Sequence, residues 1–168
     1  MKLDLNQPAE QIVLDQVFRT NGIQLSQDTI DFGTPSALPN AGPWGPDTMV
    51  EITAVPDIDC AFTGSVTLQY CRLPLSQAIW DQPTALMLPA VPFQTQDLIP
   101  AINAAFGLQL QARDLVNVTY TDYSQPVILN ASGASLIYTG SVVLNTQNPV
   151  NPELVPSTSL DGFQVAQF

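Results

Sequence analysis

Histidine is absent from this 168-residue sequence, and positive charge is scarce: four Lys and Arg stand against 15 Asp and Glu, for a net charge of −11. Without histidine, Ser-His-Asp and Cys-His nucleophile systems and most zinc sites are excluded. The four basic residues, Lys2, Arg19, Arg72 and Arg113, are scattered, whereas phosphate contacts need them clustered. We therefore expect no nucleic-acid binding, and an anionic membrane surface would repel the chain.

Other chemical signatures are also missing from the sequence. It holds no Walker loop, GxGxxG or GxSxG motif. No apolar run approaches the ~18 residues that span a bilayer, and the first residues hold no signal-peptide core. We expect a protein that is not an enzyme, needs no cofactor, and is made in a cytoplasm without export by a cleaved signal.

Charged residues of both signs make up only 11% of the chain, while apolar residues make up 45%. An average soluble protein has roughly 25% charged residues, and freely diffusing monomers usually carry more surface charge than this chain. The composition favours a subunit packed against other subunits. A monomer is the alternative.

The two cysteines, Cys60 and Cys71, lie on either side of a predicted strand. At about 3.3 Å per residue their sulfurs would be ~30 Å apart, too far for a disulfide. We expect two free, buried thiols. Asp57 and Asp59 precede them in a turn. We interpret this pair as a solvated turn, with a weak calcium site as the alternative and catalysis by paired carboxylates as the least favoured interpretation.

Almost the same phrase occurs twice: FTGSVTLQY begins at Phe62 and YTGSVVLN begins at Tyr138, 76 positions later. Each alternates as a half-buried strand does. Met49 to Val55 precedes the first phrase as a strand, and Pro126 to Ala131 precedes the second, with turn residues between. Each phrase is therefore the second arm of a predicted hairpin, the second one running from Leu136 to Leu144.

A second repetition lies upstream of each hairpin. NGIQLSQDTID resembles FGLQLQARDLVN, which places Gly22 opposite Gly107, and one inserted residue aligns Asp28 with Asp114. We expect Gly22 and Gly107 to end helices in the left-handed conformation. Gly64 and Gly140 lie where a strand begins, bulges or approaches another backbone.

A helix is predicted before each of the first two glycines. In the first, Pro8 lies near the start and the apolar stripe consists of Ile12, Val13, Val17 and Phe18. In the second, Thr95 or Asp97 caps the helix, Pro100 lies in its first turn, and the inward residues are Leu98, Ile99, Ile102, Ala105 and Phe106.

The sequence predicts an α+β fold of two tandem helix-plus-antiparallel-hairpin modules that share or pack their sheets, with an extended C-terminal arm. The first module spans residues 1–82 and carries a Pro- and Gly-rich insertion near 38–47. Residues 83–96 form a linker that includes a short strand, ALML. The second module spans 97–146, and the Pro-containing arm spans 147–168.

The stretch from Phe62 to Ile79, followed by Asp97 to Asn117, resembles an uncharacterised repeat domain of virion proteins in tailed bacteriophages. The matching residues are Gly64, Ser65, Val66, Tyr70, Arg72, Leu73, Leu75, Ile102, Asn103, Ala104, Ala105, Gly107, Leu110 and Asp114. Cys71 departs from that pattern, and the second copy lacks its Tyr-x-Arg. The resemblance implies a virion location and a structural role, with other virion proteins (major capsid, neck or tail subunits) as partners in a symmetric assembly that includes further copies of the chain.

Several residues are candidates for contacts. We expect Arg72 to pair with Asp114, with a salt bridge to a neighbouring subunit as the alternative. Trp44 either folds back on its own module or anchors an interface. The predicted partner-binding residues of the arm are Leu154, Val155, Leu160, Phe163 and Phe168.

Two functions follow from these features. The first is a virion structural protein, a capsid decoration or head-to-tail component that assembles through its arm and loops. The alternative is a receptor- or carbohydrate-binding module on the virion, using Trp44, Tyr120, Tyr123 and the Asp57/Asp59 turn, with or without calcium.

Overall fold

The computed structural model describes residues 3–39, 42, 45–55, 63–82 and 85–149. Within them the chain is a mixed α+β protein with short strands in several small sheets. The α+β class is therefore confirmed. Trp44, Asp57, Asp59, Cys60 and the arm residues from Val150 onward lie outside the described residues, so the predictions made for them stay predictions.

The first helix, α1 (Ala9–Asn21), begins after Pro8 and ends at Gly22. Gly22 adopts a left-handed conformation (φ 71°), and its N–H donates to the carbonyl oxygen of Phe18 at 2.8 Å. Ile12 and Val13 are buried as predicted, together with Ala9 and Leu14. The prediction for Phe18 was wrong. It is 50% exposed, because the last turn of the helix extends beyond the core.

The main sheet follows a 3-10 turn at Gln27–Thr29. Its strands are β1 (Ile30–Phe32), β2 (Ser36–Ala37), β3 (Thr48–Ala54) and β4 (Ser65–Tyr70). β3 is central, with β1 and β2 along one side and β4 along the other, and all pairs are antiparallel. Residues of β3 alternate between buried and exposed, as expected of a sheet with one face on a core.

A connecting region leads from the first hairpin to the second helix. It contains β5 (Leu73–Pro74), the single-turn helix α2 (Leu75–Ala78), β6 (Leu86–Met87) and β7 (Phe93–Gln94). The segment expected to be a linker thus contributes two short strands, one of which lies within the predicted ALML strand.

The second helix is preceded by a 3-10 turn, Thr95–Leu98, and α3 runs Ile99–Phe106. The turn is capped by a reciprocal pair, Gln94 and Asp97, of which the sequence predicted only Asp97. Gly107 ends α3 with φ 63°, and its N–H donates to Asn103 O at 2.9 Å. Leu98 and Ile102 are buried as expected, but Ala105 is exposed, on the solvent side of this short helix.

The second hairpin is shorter and more broken than predicted. After a 3-10 turn at Ala112–Asp114 the strands are β8 (Thr119–Tyr120), β9 (Ile128–Asn130), β10 (Tyr138–Thr139), β11 (Ser141–Val143) and β12 (Thr146–Gln147). The predicted return strand is interrupted at Gly140, which has φ 71°. This break lets β10 leave the hairpin and pair in parallel with β5 of the first half.

One hydrophobic core serves both halves of the chain. Buried residues of α1, β3 and α2 belong to the same cluster as those of α3, β9 and β10. Among them, Leu75, Ile102 and Leu129 have no exposed surface. The two predicted modules therefore pack through a shared core.

Cys71 lies at the end of β4 and is a free thiol. It is exposed, and its sulfur contacts Gly45 O at 3.3 Å. The expectation that this thiol is buried was wrong, because Cys71 directly follows the end of β4 and lies at the surface.

Candidate interaction surface

The internal repeat is visible in the backbone hydrogen bonds of the two hairpins. Ala54 N–H donates to Gly64 O at 2.9 Å in the first, and Ala131 N–H donates to Gly140 O at 2.9 Å in the second. Gly64 and Gly140 both have positive φ, 86° and 71°. The two glycine-serine phrases thus occupy equivalent positions in their hairpins. Each residue in the second arm of the first hairpin corresponds to the residue 76 positions later in the chain.

The 3-10 turns upstream match as well, but without the inserted residue. Val55 N–H donates to Thr29 O at 3.0 Å, and Ser132 N–H donates to Asp114 O at 2.8 Å. Thr29 therefore occupies the position of Asp114, and the predicted alignment of Asp28 with Asp114 was wrong. The sequence alignment paired Asp28 with Asp114 because both are acidic. In the structure, Thr29 follows Gly22 by the same number of residues as Asp114 follows Gly107, so no insertion is needed.

Asp114 is fully buried at the base of its turn. One carboxylate oxygen accepts from Gln111 N–H at 2.9 Å, and the other accepts from the Ser135 hydroxyl at 2.7 Å. Arg72 reaches the same serine from the other side, where its Nη1 donates to Ser135 O at 3.4 Å. The predicted Arg72–Asp114 ion pair is absent from the described residues, because Ser135 lies between the two side chains.

Arg113, one of the scattered basic residues, forms an ion pair with Glu10 of α1. This contact joins the second half of the chain to the first. Its side chains are 39% and 21% exposed, and ion pairs of such exposure contribute roughly 0–1 kcal/mol. The ion pair therefore contributes little to the stability of the contact between the two halves.

The outer edge of β4 is open in the described part of the chain. Since Ala54 bonds to Gly64, alternate residues of β4 turn their backbone groups toward β3, and Ser65, Thr67 and Gln69 turn theirs outward. Among the described residues, no hydrogen-bond partner reaches these outward groups. Such an edge can pair with an added strand.

The matching edge of β11 is closed. Gln82 donates its side-chain amide to Val143 O at 3.0 Å, and its carbonyl oxygen accepts from Asn145 N–H at 2.5 Å. Leu86 N–H of β6 then donates to Asn145 O at 2.9 Å. Val143 and Asn145 correspond to Thr67 and Gln69, so the two halves differ in what covers their outer edge.

A groove of about 480 Å³ runs between α1 and β4, beside the open edge. Its walls are mostly apolar, with Val13, Val17 and Leu68 among them, and Arg19 lies at its rim. Tyr70 closes one end and donates its hydroxyl to Leu136 O at 2.7 Å. Burial raises the pKa of Tyr70 to about 12, with Arg72 lowering it and Asp47 raising it.

A second surface lies on the outer face of β9 and β11. Ile128 and Val143 face each other across the hairpin and are 37% and 56% exposed. At the matching positions the first hairpin has Glu51 and Thr67, which are also exposed. The same fold position is thus apolar in one half and polar in the other.

Trp80 is a further exposed apolar residue, close in the chain to a residue that bonds β11. It is 78% exposed and lies two residues before Gln82, whose side chain holds β11. We name Trp80, Ile128 and Val143 the apolar face. Exposing so much of a tryptophan side chain to water is unfavourable. Tryptophan is also enriched at binding hot spots.

The tyrosines of the alternative receptor-binding function are engaged in packing. Phe93 stacks on Tyr120 with ring centroids 5.1 Å apart, and on Tyr123 at 6.5 Å. The Tyr123 hydroxyl donates to Pro89 O at 2.9 Å. Both rings are therefore packed against Phe93.

The described residues contain no candidate metal site and no candidate membrane-spanning helix. Within those ranges, no group of three or more His, Cys, Asp or Glu side chains is placed to hold a metal ion. In the same ranges, no helix has the length and apolar character needed to cross a membrane.

The chain belongs to DUF7941, a family of unknown function, whose model matches residues 2–167. No curated protein and no solved structure matches the chain. The family match covers both halves and the arm.

Of the site residues named from the sequence, the structure describes the four glycines, Arg72 and Asp114. Gly22, Gly64, Gly107 and Gly140 shape the backbone, and Arg72 and Asp114 meet at Ser135. Sequence reasoning missed Trp80, Gln82 and the β4 edge. Only Trp80 carried a signal, as a tryptophan followed by two polar residues just before the proline-containing segment.

Proposed function

We propose that this protein is a structural component of a bacteriophage virion, a capsid decoration or a head-to-tail (neck) component. It works by binding neighbouring virion proteins and further copies of itself. The location is supported by the resemblance of residues 62–79 and 97–117 to a virion repeat domain. The mode of action is supported by surfaces suited to contact with other proteins.

The observation that carries the proposal is the apolar face. Trp80 is 78% exposed and Val143 is 56% exposed, in a chain with only 11% charged residues, and Gln82, two residues after Trp80, bonds the backbone of Val143. The first half tolerates Glu51 and Thr67 at the positions of Ile128 and Val143, so the fold itself does not require apolar residues there. Contact with a partner explains why the second half has them.

The internal repeat provides the test variant. Replacing Ile128→Glu and Val143→Thr copies the outer face of the first hairpin onto the second, and the fold should therefore remain intact. We expect the double variant to unfold at nearly the wild-type urea concentration but to be incorporated into particles at least ~10-fold less. Incorporation is measured by mass spectrometry of purified particles, which also gives the copy number.

Phe18→Ser serves as the control, since Phe18 is an exposed apolar residue on another surface. It should leave incorporation unchanged. Absence of the wild-type chain from purified particles would overturn the proposal. Normal incorporation of the double variant would show that the apolar face is not the contact.

The receptor- or carbohydrate-binding alternative gains no support from the described residues, because Tyr120 and Tyr123 are used in packing. The same particles distinguish it. Particles that incorporate the double variant normally but adsorb poorly to host cells would favour this alternative.

A further inference from the structure

We propose that the open edge of β4 and the adjoining groove bind the C-terminal segment, residues 150–168, of a second copy of the chain. The inference rests on the proposed function, since it identifies one of the contacts through which the subunits assemble. It is carried by the difference between the two halves of the repeat.

The second half shows how such an edge is closed. The segment that leaves the first half passes over the edge of β11, where Gln82 bonds both Val143 and Asn145. Leu86 and Leu88 then donate their N–H groups to Asn145 O and Gln147 O, each at 2.9 Å. The covering segment therefore combines an edge-capping side chain with a short added strand.

Residues beneath the covered edge of β11 are more buried than the corresponding residues of β4. Leu144 is 4% exposed, and Leu88 of the covering segment is 5% exposed. Leu68 corresponds to Leu144 but is only partly buried, and it lines the groove beside the open edge. Val66 is 55% exposed, whereas the corresponding Val142 is partly buried. The first half lacks, among the described residues, the segment that its twin has.

The C-terminal segment has the composition that this groove requires. Its larger apolar residues are Val150, Leu154, Val155, Leu160, Phe163, Val165 and Phe168. It contains no Lys or Arg, while its acidic residues are Glu153 and Asp161. Arg19, which lines the groove, is complementary to this negative charge.

Length also fits. Nineteen residues span up to about 60 Å when extended, whereas β4 needs an added strand of roughly 20 Å. The segment therefore has enough chain to leave its own body, cross to a neighbour and still pair along the whole strand. Strand addition of this kind gains affinity from backbone bonds and specificity from side chains in the groove.

The order of the chain favours a second copy over the same copy. Within one chain, the segment leaving the first half covers the second half. Continuing that order, the segment leaving the second half covers the first half of the next copy. Such a contact joins two different surfaces head to tail, which closes into a ring or continues as a chain of subunits.

The exposed thiol at the groove makes the proposal testable in the full-length protein. A photoactivatable benzophenone is attached to Cys71 in a Cys60→Ser variant, and equal amounts of ¹⁴N- and ¹⁵N-labelled chains are mixed before irradiation. We expect cross-linked peptides from residues 150–168, about half of them joining light to heavy chains. The control carries the probe at Glu51→Cys in a Cys60→Ser, Cys71→Ser background, on the outer face of the same sheet, and should yield at least ~10-fold fewer of these products.

A second experiment uses the edge itself. Thr67→Pro removes an outward N–H without breaking a bond to β3, and proline is tolerated on edge strands. We expect it to weaken self-association at least ~10-fold in sedimentation velocity, while Thr67→Ala, which keeps the N–H, associates as wild type. Circular dichroism of both variants verifies that they are folded.

The outcomes separate this inference from the proposed function. Cross-links confined to single chains, cross-links that avoid residues 150–168, or self-association unaffected by Thr67→Pro would each overturn it. A wild-type chain that is monomeric at all concentrations would do the same. None of these results depends on whether the protein is present in particles, which tests the proposed function alone.

Discussion

Asp114 illustrates how one buried side chain can organise a turn and the strand beyond it. Its carboxylate accepts from Gln111 N–H and from the Ser135 hydroxyl, and Ser135 Oγ in turn accepts from Tyr138 N–H at 3.1 Å. Because the group is fully buried, water cannot replace these bonds if the carboxylate is lost. The network therefore connects the 3-10 turn at Ala112–Asp114 to β10.

Replacing Asp114→Ala should lower the free energy of unfolding by about 2–4 kcal/mol, since two donors lose their buried acceptor. Urea unfolding followed by tryptophan fluorescence measures the change. Thr29→Ala is the matched control, because Thr29 holds the same backbone position in the first half but is only partly buried. It should cost no more than about 0.5 kcal/mol. Equal losses at the two positions would contradict the assigned role of Asp114.

Tyr138 presents the opposite case, a buried hydroxyl that has no hydrogen-bond partner among the described residues. The residue is 1% exposed, and burial, with a smaller contribution from the charge of Asp114, raises the pKa of its hydroxyl. The sequence repeat has phenylalanine, Phe62, at the matching position. The hydroxyl therefore contributes a desolvation cost without a compensating bond.

We expect Tyr138→Phe to leave stability unchanged or to raise it by up to about 1 kcal/mol, since the unpaired hydroxyl is removed. Tyr70→Phe is the comparison, because the Tyr70 hydroxyl donates to Leu136 O at 2.7 Å, and its loss should cost about 1 kcal/mol. Both are measured by urea unfolding. A larger loss for Tyr138→Phe than for Tyr70→Phe would mean that the Tyr138 hydroxyl has a partner.

At the scale of elements, the two helices end in the same way. Gly22 and Gly107 take left-handed conformations and bond back into the last turn. A Cβ at Gly107 would meet no atom within 4 Å, so its requirement for glycine comes from the backbone alone. The sequence predicted this conformation because both glycines follow an apolar helical stripe.

Gly107→Ala should therefore destabilise the protein by about 1–2 kcal/mol, the cost of a left-handed backbone for a residue with a side chain. Gly133→Ala is the control. Gly133 has equal free space and no positive φ, so its replacement should be neutral or raise stability by up to about 1 kcal/mol. Thermal unfolding of both variants provides the comparison, and a neutral Gly107→Ala would show that the helix end relaxes.

The strands show where prediction from sequence stops. β3 and β4 lie within one residue and three residues of their predicted starts, because alternation of apolar and polar residues is a local signal. β5 and β10 pair residues that are 65 positions apart in the chain, and no local pattern encodes that contact. Two-residue strands of this kind exist only because the core brings their backbones together.

At the scale of the whole molecule, the shared core makes the two halves depend on each other. Leu75 of α2 is completely buried in the cluster that also contains Val50 and Leu129, one from each hairpin. A repeat whose halves share their core should unfold as one cooperative unit. The modules are repeats in sequence, but in packing they form a single body.

Leu75→Ala should lower the free energy of unfolding by about 2–5 kcal/mol through lost burial and a cavity. Because the core is common, amide hydrogen exchange should accelerate at both Val50 and Leu129. Phe18→Ala, at a half-exposed position, should change stability by less than about 1 kcal/mol. Accelerated exchange in the first half alone would indicate that the halves unfold independently.

The amino-acid sequence by itself determined the α+β class, the doubled order of helix and hairpin, and the glycines that end the helices, because each of these arises from residues close together in the chain. Only the tertiary structure decided that Ser135 separates Arg72 from Asp114, that Gln82 closes the edge of β11 while the matching edge of β4 stays open in the described part of the chain, and that Ile128 and Val143 are exposed side by side. These features depend on contacts between residues far apart in sequence, and such contacts form only when the shared core brings the two halves together.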